Sequence, residues 1–324
     1  MEKKVSVVIP NYNGLAFYRD CLLALREQTR MPDRIVVIDN GSTDQSAEAI
    51  EREFPEVELL RLGRNTGFCG AVNAGIIASY DMDYVILLNN DTKADPCFVE
   101  ELLAAIIKND KIFSCQAKML SMADPSVMDD AGDYYCALGW AFARGKGKPA
   151  DRYERPVSLF FSCAGAAIYS VKILREIGKF DENHFCYLED TDVGWKARIN
   201  GYRNVFVPTA KVLHIGSATT GSLYNDFKVR NSSRNSIYLI YKNMPSFQIL
   251  LNLPLLVFGF SVKAAFFFRR GFGGVYMKGI VNGFRLCRKG AEEGKKVVFK
   301  SENLPHYFRI QLELWVNCVR RLIG

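Results

Sequence analysis

Three histidines and three tryptophans are all that this 324-residue chain holds, and none of its nine cysteines stands in a CxxC pair. Zinc knuckles and dithiol redox motifs are therefore excluded. No GxGxxG follows the first apolar run and no GxxxxGK[ST] occurs anywhere. That removes the adenine-dinucleotide and P-loop modes of phosphate binding. Met1-Glu2-Lys3-Lys4 leads directly into a short apolar strand without the pattern of a signal peptide, so a cytoplasmic protein with reduced thiols is expected. The chain also lacks an unbroken apolar run of about twenty residues, the length of a spanning helix. Its best stretch, Pro254 to Phe268, is interrupted by Lys263 and closed by Arg269-Arg270. Acidic residues are scarce at one end. From Arg230 to Gly324 there are sixteen Lys/Arg against four Asp/Glu, a surplus of twelve on a chain of net +7. The preceding 229 residues therefore carry −5, and the basic excess needs a partner.

A hydrophobic content of 49% with 24% charged residues can bury a core and fits one large or two modest domains. Tyr84-Val85-Ile86-Leu87-Leu88 is apolar without alternation, as a strand covered on both faces is. It stops at Asn89-Asn90-Asp91-Thr92. Val5 to Pro10 and Arg34 to Ile38 read the same way and end in Pro10-Asn11 and Asp39-Asn40. Helical spacing separates these strands: Phe17, Cys21, Leu22 and Leu25 fall on one face, and a Gly/Ala-rich helix opens at Asn65. Alternating strands and helices with short connections give a mostly parallel α/β sheet. Three polar strand ends on one rim suit a shared polar ligand, although an Asx turn after each strand fits the same residues. The stretch from Lys118 to Asp151 reads as irregular, with the basic loop Arg144-Gly145-Lys146-Gly147-Lys148 either a lid or a solvated turn.

Further on, Tyr187-Leu188-Glu189-Asp190-Thr191-Asp192 puts three carboxylates in four residues at the start of a helix, where their charge is best tolerated. Arg230 and Arg234 share a helical face and could clamp a diphosphate, or form a solvated basic face. His214 follows an apolar pair and reads as either a core histidine or a metal ligand.

Taken in order, VSVVIPNYNG, VIDNGSTD, NxGxxxAxNxG and LLNND resemble the family-2 glycosyltransferases of the GT-A fold, over about Val5 to Asn243. The bacterial rhamnosyltransferase-like branch is the most similar. The resemblance implies a GT-A catalytic domain over residues 1–243 that transfers a sugar from a nucleotide diphosphate donor with inversion, using Mg²⁺ or Mn²⁺. It implies that Pro10 and Asn11 touch the base or ribose, with Asp39 accepting from the base. Asn40, Arg64, Asn65, Asn73, Asn89 and Asn90 would support the donor. Asp91 would hold the metal with His214, and Asn89 would offer a neutral oxygen where the family has an Asp. Asp190, between Glu189 and Asp192, would be the general base. Rhamnose from dTDP-rhamnose is the implied sugar, in synthesis of a cell-surface polysaccharide.

The remaining residues, 244–324, are expected as a basic, helical, membrane-associating extension. Phe308, Leu312, Trp315, Val319 and Leu322 recur at helical spacing among arginines, as in an element lying on an anionic membrane surface. The expected location is peripheral, on the inner face of the plasma membrane, acting on a polyprenyl-diphosphate-linked glycan acceptor. A homodimer contact, or a helix packed on the catalytic domain, is the alternative for this stripe, and no nucleic-acid motif accompanies the charge. Two rival functions remain at this point: a sugar nucleotidyltransferase, and a non-catalytic donor-binding or scaffold subunit.

Overall fold

The structure is a computed structural model that describes residues 3–216 and 224–323. The first half alternates strictly: β1 (Val5–Asn11), α1 (Tyr18–Arg26), β2 (Arg34–Asp39), α2 (Ser46–Glu53), β3 (Glu58–Arg61), α3 (Gly67–Ala78) and β4 (Tyr84–Leu88). Then come β5 (Thr92–Ala94), α4 (Phe98–Ile106), β6 (Ile112–Ser121), β7 (Met128–Asp130), β8 (Asp133–Cys136), β9 (Trp140–Ala143) and β10 (Val157–Leu159). The second half holds β11 (Ala166–Ser170), α5 (Val171–Ile177), α6 (Glu189–Ile199), β12 (Arg203–His214), α7 (Asp226–Asn243), α8 (Ser246–Arg269), α9 (Gly273–Glu292) and α10 (Leu304–Ile323).

The main sheet runs β10-β12-β6-β11-β4-β1-β2-β3, with β4-β1-β2-β3 all parallel. The strands read as unbroken apolar runs because alternate side chains enter two different cores. Val7, Ile9, Ile86 and Leu88 face one, with Leu22, Leu25 and Ile50 from α1 and α2. Val8, Val85 and Leu87 face the other, with Val72 and Ile76 of α3 and Val193 and Ala197 of α6. Gly75 lets α3 lie close to β1, since a Cβ there would sit 2.2 Å from Val8 Cγ1.

Two expectations need correcting. The stretch from Lys118 onward is not irregular: β6 continues to Ser121, and β8 and β9 form an antiparallel hairpin. These strands are short and the whole of β8 is buried, so no alternation marks them in the sequence. The apolar segment is also longer than Pro254–Phe268. It begins at Ser246, and α8 at 24 residues is long and apolar enough to cross a membrane by length and composition. Eight residues with weaker hydropathy simply continue the helix upstream of Pro254. A third core binds the later helices to the rest, joining Trp195, Leu239, Leu256, Tyr307, Ile310 and Leu314.

Candidate active site

From β1 the chain passes to β2 and β3 on one side, while β4 pairs with the other edge of β1. Strand order diverges there, and the carboxyl ends of β1 and β4 open a crevice, the usual ligand position in such sheets. Pro10 and Asn11 end β1, and Asn89-Asn90-Asp91 follow β4. Asn90 Nδ2 donates to Asn11 Oδ1 at 2.9 Å, tying the two strand ends together. The crevice is a cavity of about 800 Å³. Pro10, Asn11, Asn40, Asn65, Asn89, Asn90, Asp91, Glu189, Asp190 and His214 all line it. Ten residues singled out in the sequence thus share one wall system, from six separate stretches of chain.

The neighbours of Asp91 define a cation position. His214 Nδ1 donates to Asp129 Oδ2 at 2.7 Å, and its Nε2 lies 3.3 Å from Asp91 Oδ1. That second approach is close enough for an ion pair yet is not a hydrogen bond, so among the described residues Asp91 Oδ1 is buried without a donor. Burial alone would lower the His214 pKa. Asp129 and Asp91 outweigh it and raise it to about 9. Asp129 is held down to about 2 against its own burial by His214 and Lys146, whose Nζ sits 2.7 Å away. A buried carboxylate oxygen without a donor, beside an imidazole fixed by a carboxylate at its other nitrogen, fits a divalent ion.

Asp190 and Glu189 stand at the start of α6, where the helix dipole favours negative charge. Asp190 Oδ1 accepts from Thr191 N at 2.7 Å. Burial, with the nearby Asp130 adding to it, raises the Asp190 pKa to about 6. Glu189 is pushed up as well, by burial and then by Asp190, and its Oε2 has no partner. Each carboxyl thus disfavours ionisation of the other.

The turn into α6 is strained. Phe185, Tyr187 and Leu188 take φ of 61°, 75° and 66°, a left-handed run of non-glycine residues. Asn235 on α7 holds it, its Nδ2 lying 2.9 Å from His184 O, 2.9 Å from Cys186 O and 2.7 Å from Tyr187 O. Arg234 adds a 2.6 Å bond to His184 O.

Several expected residues are placed elsewhere. Arg234 does not line the cavity, because its guanidinium is committed to those loop carbonyls, and Arg230 is exposed on α7. Asn73 donates to Phe180 O at 2.9 Å and to Glu182 Oε1 at 3.0 Å, a structural tie. Arg64 is exposed outside the cavity lining. Asp39 is buried beside Asn11 in the β1–β2 register and accepts from Ser42 N at 3.2 Å. Asp192, expected with Asp190, is fully buried and bonded by Lys242 Nζ at 2.8 Å and Asn243 Nδ2 at 2.8 Å. Two residues along a helix place it on a different side from Asp190.

Residues that sequence reasoning missed complete the cavity: Tyr12, Phe185, Tyr187, Phe227 and Lys228 line it. The Phe227 ring lies 6.3 Å from Phe185 and 6.1 Å from Tyr187, forming an aromatic wall. Aromatic residues without helical or strand periodicity carried no signal. Asp129 stands in Asp129-Asp130-Ala131-Gly132, a run that ordinary turn chemistry explains equally well.

A separate cavity of about 890 Å³ is lined by Asp181, Glu182, Lys242 and four further lysines. Asp181, which lines it, has with His184 and Asp192 the spacing of a metal site. Lys242 Nζ already lies 2.6 Å from Asp181 and 2.8 Å from Asp192, so an ammonium holds the place of a cation.

A divided α/β sheet with an acidic crevice of this kind defines a nucleotide-sugar transferase. Residues 6–178 match the family model for glycosyl transferase family 2, more than half of the chain, and the protein belongs to that family. It is a glycosyltransferase. The chain is 30% identical over 246 residues to N-acetylglucosaminyl-diphospho-decaprenol L-rhamnosyltransferase of Mycobacterium tuberculosis, covering 68% of this chain and 79% of that one. It is 22% identical to the O-antigen chain rhamnosyltransferase RfbN of Salmonella typhimurium, over 65% of this chain and 66% of that. These relatives set it in the rhamnosyltransferase-like branch. Among solved structures, GalNAc-T7 with UDP, GalNAc and Mn²⁺ superposes with a TM-score of 0.59 at 17% identity, covering 74% of this chain and 48% of that one. TarS 1-349 of S. aureus with UDP gives 0.53 at 16% identity, over 92% and 94%. Those two likenesses establish the GT-A fold. The nucleotidyltransferase and scaffold alternatives fall away with family membership.

Proposed function

We propose that the protein transfers rhamnose, with inversion, from dTDP-rhamnose to a glycan on a polyprenyl diphosphate lipid, at the cytoplasmic face of the plasma membrane. The observation that carries this is one cavity holding both an orphaned Asp91 oxygen beside His214 and a buried Asp190 whose pKa stands at about 6. A carboxylate poised near neutrality suits the removal of a proton from an attacking hydroxyl. Asp91 and His214 would hold Mg²⁺ or Mn²⁺, which when bound neutralises the departing diphosphate as a Lewis acid. Lys228, at the cavity wall on the first turn of α7, takes the diphosphate role expected of Arg230 and Arg234. Tyr12 and the aromatic wall exclude water and present flat faces to base or sugar.

The choice of sugar and of lipid acceptor rests on the mycobacterial relative, whose name specifies both rhamnose and a diphospho-decaprenol acceptor. Membrane attachment rests on the three later helices, each of which leaves an apolar strip open. Leu250, Val257 and Phe258 on α8, Phe284 on α9, and Phe308, Leu312 and Leu322 on α10 are all at least 58% exposed. Exposed apolar area of this extent marks an interaction surface, and the surrounding Lys/Arg surplus suits anionic lipid.

The test is transfer from dTDP-rhamnose to a synthetic N-acetylglucosaminyl-diphospho-lipid, followed by NMR assignment of the new anomeric centre. Release of dTDP with an inverted linkage is expected. Turnover of another nucleotide sugar, with dTDP-rhamnose inert, would overturn the donor assignment.

A further inference from the structure

Between the cavity and the open apolar helices stands the β8–β9 hairpin. Its register pairs Tyr134 with Phe142 and Cys136 with Trp140, so the rings of Tyr134, Phe142 and Trp140 share one face. Three cations from the later helices lie over that face. Lys263 Nζ of α8 is 5.7 Å from the Trp140 ring centre, Arg320 of α10 is 4.8 Å from Tyr134, and Arg321 is 5.7 Å from Phe142. None of the three has a carboxylate within ion-pair distance among the described residues. Burial first, and then the nearby Arg321, lowers the Lys263 pKa to about 8. Arg320 Nη1 donates to Asn317 Oδ1 at 2.9 Å, but an arginine stacked on a ring uses only its flat face and keeps its remaining N–H donors for a phosphate.

The hairpin is fixed at both ends. Its turn end is locked to α8, where Trp140 Nε1 donates to Gly259 O at 3.1 Å and a Cβ on Gly259 would strike Leu138 O. Its other end begins at Asp133, which is buried and raised well above the usual carboxylate range by burial, by Asp130 and by Asp190. Trp140 to Ala143 spans three residues, about 10 Å at strand rise. That is the scale of one sugar bridging a diphosphate and the base.

We propose that Lys263, Arg320 and Arg321, laid over the Trp140–Phe142–Tyr134 face, form the seat for the diphosphate of the lipid-linked acceptor. The first sugar then points along the hairpin to Asp190, and the hydrocarbon lies against the open faces of α8 and α10. This deepens the function proposed above and rests on its lipid-linked acceptor.

The experiment measures binding and so needs no turnover. Farnesyl diphosphate, short-chain phosphatidylglycerol and dTDP are each titrated calorimetrically into the full-length protein in detergent, wild type and the K263Q/R320Q/R321Q variant. Farnesyl diphosphate affinity is expected to fall by at least about tenfold, as loss of charge-assisted phosphate bonds requires. Affinity for dTDP should hold and that for phosphatidylglycerol should change less than about twofold. Equal weakening of both lipids would reduce the cluster to a general anionic-lipid contact and overturn the proposal, as would unchanged farnesyl diphosphate binding. If the triple variant loses dTDP binding, the single R321Q decides, because Arg321 is exposed near the end of α10. It should cost about threefold for farnesyl diphosphate alone, and no loss there refutes the seat. Inert dTDP-rhamnose with intact, variant-sensitive farnesyl diphosphate binding would fault the sugar assignment and leave this site standing.

Discussion

Lys242→Met is expected to destabilise the protein far more than it weakens nucleotide binding. The ammonium lies 2.6 Å from Asp181 Oδ2 and 2.8 Å from Asp192 Oδ2, with all three side chains at most 4% exposed. Methionine is similar in length but carries no charge, so two buried carboxylates lose their counter-ion. Breaking a buried pair from one side costs about 3–5 kcal/mol. A 324-residue chain unfolds with an entropy near 0.7 kcal/mol/K. The midpoint should therefore fall by about 4–7 °C. Burial tends to raise the Asp192 pKa, but Lys242 and Lys196 outweigh it and hold the group below 3.8. Its contribution is thus complete above the unfolded pKa and is lost only as pH falls through the depressed folded value. Lys242 is raised above 10.5 despite burial, by Asp192 and Asp181, so its contribution is complete below that. The penalty should accordingly be the same from about pH 5 to pH 9.

Differential scanning calorimetry across that range measures the shift, with dTDP titration alongside. An added Asp192→Asn should recover part of the loss, because one of the two orphaned charges disappears. A midpoint within about 1 °C of wild type would refute the reasoning. So would loss of nucleotide affinity at an unchanged midpoint, since that would restore Asp192 and its partners to the catalytic centre.

Asp190→Asn should cut transfer by about 10²–10⁴ while donor affinity holds, read from single-turnover rates and dTDP titration. Because the base works ionised and Asp190 loses its proton near 6, kcat/KM should fall below that pH. Asp130→Asn removes the neighbouring carboxyl that, after burial, raises Asp190, and should move the acid limb lower in a pH–rate profile. Asp91→Ala should abolish metal-dependent donor binding, and Asp129→Asn should weaken Mn²⁺ affinity by about 10–100-fold, both read by calorimetry. Flotation with anionic vesicles should drop at high salt without vanishing, and fall further with Trp315→Glu. Equal flotation with neutral vesicles would remove the electrostatic part of the membrane assignment.

The catalytic frame was legible because its signals are local. Val5–Asn11, Arg34–Asp39 and Tyr84–Leu88 are continuous apolar runs ending in polar clusters, and each sits where that pattern puts it. Parallel pairing then brings Asn11 beside Asp39 by register alone. What could not be read depends on contacts between distant stretches. Nothing in Arg234-Asn235 says that its partners are carbonyls about fifty residues upstream. Asp190 and Asp192 look equivalent in sequence. Their separation follows from α6 turning one toward the cavity and the other toward Lys242. The β8–β9 hairpin was invisible because its strands are four residues each and no alternation marks them.

The strained turn before α6 ties these observations together. A helix that begins with Glu189 and Asp190 inside a cavity needs a chain that enters abruptly, and the left-handed Phe185, Tyr187 and Leu188 provide that entry. Such a conformation costs on the order of 1–3 kcal/mol per residue and persists only where surroundings over-determine it. Asn235 and Arg234 clamp its carbonyls from α7, and Phe185 O accepts from Cys69 N at 3.3 Å on the α3 side. The buried set of Asp181, Asp192 and Lys242 closes the same region from beneath, joining α6 to α7. A charged network that gives little net stability is then explained by what it fixes. It holds α6 and α7 in the one relation that brings Asp190 to the cavity wall, with Lys228 at the near end of the same α7 helix.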